Sequence, residues 1–186
     1  MTLGKRDGMI KAPLHSIANP LPRPLALCDH RCGISSPGSP KHQRVLLKLA
    51  AALLRHSELG NLGQVLQAPC DVILSRNVIV RPDILFIERG RIGLIGKNNL
   101  WGAPDLVIEI LAPHTREQDL TKKRNLYSRF GVREYWIADP DAATAEVLVW
   151  SELGYATAGI CGRSDRMSSP LFPRLRLPLR KVFEPC

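Results

Sequence analysis

The sequence predicts an α/β fold in which a mixed β-sheet core is flanked by helices. Three observations lead there. SPKHQRVLLKLAAALLRHSELG (39–60) carries apolar residues at helical spacing. Several short runs rich in Val, Ile and Leu follow it. A second helical stretch then precedes two more strand-like runs. Helix, strands, helix, strands is the order of an α/β sandwich around a mixed sheet, not of a regularly alternating doubly wound fold.

Each element has its own warrant. In the first helix Leu46, Leu49, Ala50, Leu53 and Leu54 recur at helical spacing, Ser39-Pro40 suits a cap and first turn, and Gly60 suits a stop. GQVLQ, CDVILS and NVIVRPDILFIE (77–88) read as three strands, with Asn77 in a turn between the second and third. RGRIGLIGKNNLW (89–101), with three glycines and two asparagines, reads as a loop with room for a short 3₁₀ turn. A strand over 105–111 follows. Thr115 with Gln118 three residues on resembles a capping box, and Gly131 suits the end of the helix that begins there. EYWIAD (134–139) and AEVLVW (145–150) flank DPDAAT and form a hairpin. In the tail, Arg174, Leu175, Arg176 and Leu177 alternate, which predicts an edge segment with one arginine face.

Composition bounds the rest. A chain of 186 residues suits one domain. It can bury about 70% of its unfolded surface, so the core needs no disulfide or structural metal. Residues 1–34 are Pro-rich, basic and without periodicity, and read as an irregular segment ahead of a domain over 35–186. The net charge of +9 is concentrated at the front, with nine Lys/Arg against three Asp/Glu in residues 1–60, and favours polyanionic partners. The five cysteines are odd in number and irregularly spaced, which argues against a secreted disulfide framework. Cys28 and Cys32 bracket His30, but no second pair at finger-like spacing follows, so free thiols in a reducing cytosol are the better reading than zinc. The first 30 residues hold no long apolar stretch of the signal-peptide kind, and Lys48 interrupts the run 45–54, which is too short to span a bilayer. A cytoplasmic protein is expected.

GAPDLVIEILAP (102–113) raises the central question, because an almost unbroken apolar strand holds Glu109. An ionised carboxylate in a dry strand costs several kcal/mol, roughly, unless it is paired. Side chains alternate along strands, so Asp83 shares a face with Leu85 and Ile87, and Glu109 with Asp105, Val107 and Leu111. On neighbouring strands Asp83 and Glu109 would meet, and a divalent cation would turn their repulsion into binding. The following helix supplies a third group. Leu120, Tyr127 and Phe130 mark its inward stripe, and Lys123 occupies the missing position, with Lys122 about 100° away toward solvent. Pairing of Lys123 with Asp119 at i,i+4 is the structural alternative. Asp105 suits a structural carboxylate that accepts loop N–H groups. His42 suits a partly exposed first helical turn, and Tyr127 and Trp136 suit the core.

In order, SPKHQ, RPD, GAPDLVIEIL and DLTKKRNLYSRFGVREYWIADP resemble the bacterial Uma family, endonucleases of the restriction-endonuclease-like PD-(D/E)XK superfamily. The likeness covers roughly 35 to 183 of the chain and is most specific over 102–140. It implies a mixed-sheet core and a hydrolase site for phosphodiesters, dependent on Mg²⁺ or Mn²⁺, with Asp83 and Glu109 as the acids and metal ligands. The superfamily lysine would stand at 111, which is Leu here; the resemblance moves it to Lys123. Two departures stand out. The tyrosine- and acid-rich strand pair usual at the family's front is absent from residues 1–34, and Ala112 replaces a common serine.

The expected function is therefore a metal-dependent DNA endonuclease with Asp83, Glu109 and Lys123 catalytic. Arg81, Arg116 and Lys122 could hold the phosphate backbone, and His42 and Asp105 are possible accessory residues. A homodimer is compatible with the superfamily. The rival readings are a catalytically inactive nucleic-acid-binding or interaction module of the same fold, and a hydrolase of another phosphoester.

Overall fold

The structure is a computed structural model and describes residues 39–184. Helix α1 (Pro40–Gly60) opens it, followed by β1 (Gly63–Gln67), β2 (Asp71–Ser75), β3 (Val78–Val80) and β4 (Ile84–Glu88). After a 3₁₀ turn over Arg89–Leu94 come β5 (Asn99–Trp101) and β6 (Leu106–Ile110). A helix over 116–129 then leads to β7 (Glu134–Asp139), β8 (Thr144–Ser151), β9 (Gly154–Gly162), β10 (Arg166–Met167), β11 (Leu177–Pro178) and a last helix, Leu179–Phe183.

The central sheet has the order β1-β4-β6-β7-β8-β9. Only β6 and β7 are parallel, and the helix over 116–129 is their crossover, as a parallel pair requires. A smaller sheet, β3-β2-β5, lies on one side. Two apolar clusters separate by strand alternation. Ile84, Phe86, Leu106, Ile108, Ile110 and Trp136 pack against Val45, Leu46, Leu49 and Leu53 of α1. Leu85, Ile87, Val107, Leu111 and Tyr135 pack with Tyr127 of the crossover helix and with Val72 and Leu100 of the smaller sheet. Among the described residues no helix is long and apolar enough to cross a membrane.

The expected α/β class, the mixed sheet and its flanking helices are all present. Local expectations needed correction. NVIVRPDILFIE is two strands in two different sheets, because Pro82 has no N–H for a ladder and the chain changes sheet across 81–83. Residues 99–101 are not loop but β5, paired in parallel with β2. Strand β9 was not expected, because its three glycines blur the alternation, yet it pairs with β8 over its length.

Helix ends differ as well. Ser39 caps α1 by accepting the His42 N–H at 3.2 Å, as expected, but the left-handed C-cap is Asn61 (φ 49°), one residue past Gly60. Thr115 makes no side-chain cap; its N–H turns back to the Ala112 carbonyl instead. Gly131 does end the crossover helix, at φ 71°. In the tail Leu175 and Leu177 are buried between exposed Arg174 and Arg176, but the segment becomes helical from Leu179. Cys28, His30, Cys32 and the boundary at 34/35 lie outside the described residues.

Candidate active site

Strands β4 and β6 are antiparallel neighbours, with Ile84 opposite Ile108, which brings Asp83 to the end of β6. Its Oδ2 accepts the Ile110 N–H at 2.7 Å and so replaces the backbone partner that β4 no longer offers there. The same oxygen is 3.4 Å from His42 Nε2. His42 is 8% exposed, so the expected partly exposed position is wrong. It stands four residues before Leu46, on the buried stripe of α1, and that spacing was the signal for it. The hydrogen bond to Asp83 holds the imidazole pKa above its ordinary value against the opposing effect of burial. Its Nδ1 is buried without a hydrogen-bond partner.

Glu109 lies in β6, where every residue is buried. Its Oε1 accepts the Tyr127 hydroxyl at 2.6 Å, and its Oε2 is 2.9 Å from Lys123 Nζ. The same ammonium is 2.8 Å from Asp119 Oδ1. Both sequence readings of Lys123 are therefore realised together: it pairs with Asp119 at i,i+4 and with Glu109 across the fold. Burial pushes the Glu109 carboxyl up to about 7; Lys123 opposes this, while Asp83 and Asp119 add to it. Burial works to lower the Lys123 pKa, but Glu109 and Asp119 outweigh it and keep the ammonium charged.

Local backbone explains why Asp119 joins this cluster. The crossover helix is α-helical over Arg116–Gln118 and Arg124–Arg129, but π-helical over Asp119–Lys123. Single π turns inside α-helices recur at functional sites. Here Asp119, Lys123 and Tyr127, spaced by four, all turn inward, and Tyr135 OH donates to the Asp119 carbonyl at 2.9 Å. A regular helix at 100° per residue would spread residues 119 and 127 over about 80°. The 3.6-residue stripe found Lys123 and Tyr127 but missed Asp119, and it gave Tyr127 a core role only. A D-x₃-K-x₃-Y spacing was the available signal.

The remaining candidates divide. Asp105, fully buried at the opposite end of β6, accepts the Glu88 N–H at 2.8 Å and Arg91 Nη1 at 2.6 Å, with Arg133 Nη1 at 3.5 Å. It is the structural carboxylate expected from sequence and takes no part in the Glu109 cluster. Arg81 pairs with Asp71, and Arg116 pairs with Asp139 at 2.6 Å. Lys122 is exposed. Trp136 is satisfied in the core by Glu134 at 2.8 Å.

Glu109 and Asp119 thus share one half-buried ammonium, Lys123, while Asp83 pairs with His42 and acts on Glu109 through its charge. The excess of negative charge and the all-oxygen acids fit a hard divalent cation, which typically takes one or two carboxylates and keeps waters. Among the described residues no group of three or more His, Cys, Asp or Glu is gathered for a metal, and a two-carboxylate site requires none.

Sheet order and crossover helix define a restriction-endonuclease-like mixed-sheet fold. The chain belongs to the Uma2 family, whose model, described as "Putative restriction endonuclease", matches residues 16–180. A solved relative in fold is titled a "putative nuclease belonging to DUF820 from Anabaena variabilis ATCC 29413"; it is 20% identical, with a TM-score of 0.64 over 78% of this chain and 81% of that one. No curated protein matches the chain.

Proposed function

We propose that the protein is a Mg²⁺- or Mn²⁺-dependent endonuclease that hydrolyses DNA phosphodiester bonds. The observation that carries this reading is Glu109: a 2%-exposed carboxylate in a core strand, near two further carboxylates and facing a single lysine. Asp83 and Glu109 would hold the cation, with the Ile110 carbonyl beside them. When bound, it supplies Lewis-acid polarisation of the phosphate and a water of lowered pKa.

The chain's own groups supply the rest. An ammonium has three donors; Lys123 forms ion pairs with Glu109 and Asp119 and would still offer a donor to a phosphate oxygen or the attacking water. Charge developing at the transition state is stabilised by such a prearranged donor. Tyr127 fixes the Glu109 carboxylate through its hydroxyl. His42 pairs with Asp83 through Nε2 and would help to keep that acid oriented. Arg116 and Lys122, near the start and middle of the crossover helix, and Arg81, two residues before Asp83, would meet the phosphate backbone. Arg81 and Arg116 would do so by exchanging Asp71 and Asp139 for phosphate.

Supercoiled plasmid with Mg²⁺ or Mn²⁺, with and without chelator, beside Glu109→Ala, tests the proposal. Metal-dependent nicking that the variant abolishes supports it. A folded protein that binds DNA in a salt-sensitive way but never cuts it would instead identify a catalytically silent binding module.

A further inference from the structure

Asp119 is not one of the two carboxylates assigned to the cation, yet it is 1% exposed and its side chain meets Lys123. Its Oδ1 lies 2.8 Å from Lys123 Nζ, and that nitrogen lies 2.9 Å from Glu109 Oε2. Tyr135 anchors the Asp119 backbone to β7 by donating to its carbonyl at 2.9 Å. Helix stabilisation by an i,i+4 pair is far too small to justify burying a carboxylate. The side chain therefore needs another reason.

We propose that Asp119 is a positioning residue that keeps Lys123 at the site while Glu109 turns from the ammonium to a divalent cation. This rests on the metal-dependent reading of the Glu109 site. The ammonium and a cation compete for the same Glu109 oxygen. With Asp119 present, Lys123 retains an anionic partner when Glu109 leaves the ion pair. With Asp119 neutral, that exchange strands a largely buried ammonium, so Glu109 stays with Lys123 and the cation is excluded. Loss of one negative charge near the site acts in the same direction. Outer partners of metal ligands have effects of this kind.

The test is Mn²⁺ binding to the full chain, measured calorimetrically at fixed pH, with circular dichroism as the check on folding. Asp119→Asn is expected to weaken Mn²⁺ binding by about tenfold or more. Lys123→Met removes the competitor and leaves both carboxylates, so Mn²⁺ binding is expected to tighten. Opposite signs are the signature, because damage to the fold would weaken binding in both variants. Unchanged affinity in a folded Asp119→Asn, or weaker binding in Lys123→Met, overturns the proposal while leaving the metal site itself intact. Wild-type protein that binds no Mn²⁺ removes the metal reading and this inference with it. Should Asp119→Asn fail to fold, the sign of the Lys123→Met effect decides alone.

Discussion

Two buried carboxylates stand four residues apart in and beside one strand, and their surroundings are opposite. Asp105 receives a backbone N–H and faces two arginines, Arg91 and Arg133, while Arg133 also meets Glu88 at 2.9 Å. Its charge is matched or exceeded by fixed donors. Glu109 shares a single ammonium with Asp119 and has Asp83 nearby as a further acid. Burial is equal, so burial alone does not mark a site. The balance of charge around the buried group does: among the described residues Asp105 has more cationic partners than acidic neighbours, whereas Glu109 has more acidic neighbours than cationic partners.

The largest effects come from breaking this contrast directly. Asp105→Ala leaves two arginines and the Glu88 N–H without their acceptor, and should cost about 3 kcal/mol of stability, at the low end for a broken buried pair because both arginines are half-exposed. Glu109→Gln removes a carboxylate that the fold accommodates poorly, so chemical denaturation should show unchanged or higher stability. Its cleavage rate should nevertheless fall by about 10³-fold or more, the scale of losing a principal electrostatic group. Equal destabilisation by the two substitutions would erase the distinction between structural and functional carboxylate.

An effect of up to about 3 kcal/mol is expected from pH. The Glu109 pKa rises from 4.5 to about 7 on folding, and the His42 pKa also rises from 6.5. Both groups make the folded protein hold more protons than the unfolded chain, so stability falls as pH increases. The Glu109 contribution is lost between about 4.5 and 7. The His42 contribution is complete below 6.5 and is lost through its raised value. Urea unfolding in chelator should show this decline, and Glu109→Gln should remove most of its slope over the Glu109 window. Added Mg²⁺ should stabilise increasingly with pH across that window, because it binds the carboxylate. A slope that persists undiminished in Glu109→Gln would assign it to other groups.

How far the sequence revealed this site depended on which periodicity applied. Alternation along β4 and β6 was enough to place Leu85, Ile87, Val107 and Leu111 on one face and to bring Asp83 to the Glu109 end of the sheet. The helical stripe was enough for Lys123. Asp119 was legible as an i,i+4 partner of Lys123 but not as a buried neighbour of Glu109, because a π turn changes the period within five residues. His42 was on the α1 stripe, but a polar residue in a first turn reads as capping context unless its long-range partner is known. The split of 77–88 between two sheets depends on what each half packs against, and composition does not contain that.

The smallest expected effect sharpens the same contrast through one hydroxyl. Tyr127→Phe keeps the ring in the core and removes only the donor to Glu109 Oε1. That hydrogen bond favours the carboxylate form, so its loss should raise the Glu109 pKa further. Stability should drop by about 1.5–3 kcal/mol, the range for a bond to a charged group. Cleavage near neutral pH should decline several-fold, roughly in proportion to the ionised fraction, and recover at higher pH. The pH–rate profile separates the two roles open to this tyrosine. A profile displaced to higher pH identifies the hydroxyl as the group that keeps Glu109 ionised, whereas a uniform loss at every pH would reduce Tyr127 to a core aromatic whose hydroxyl merely packs.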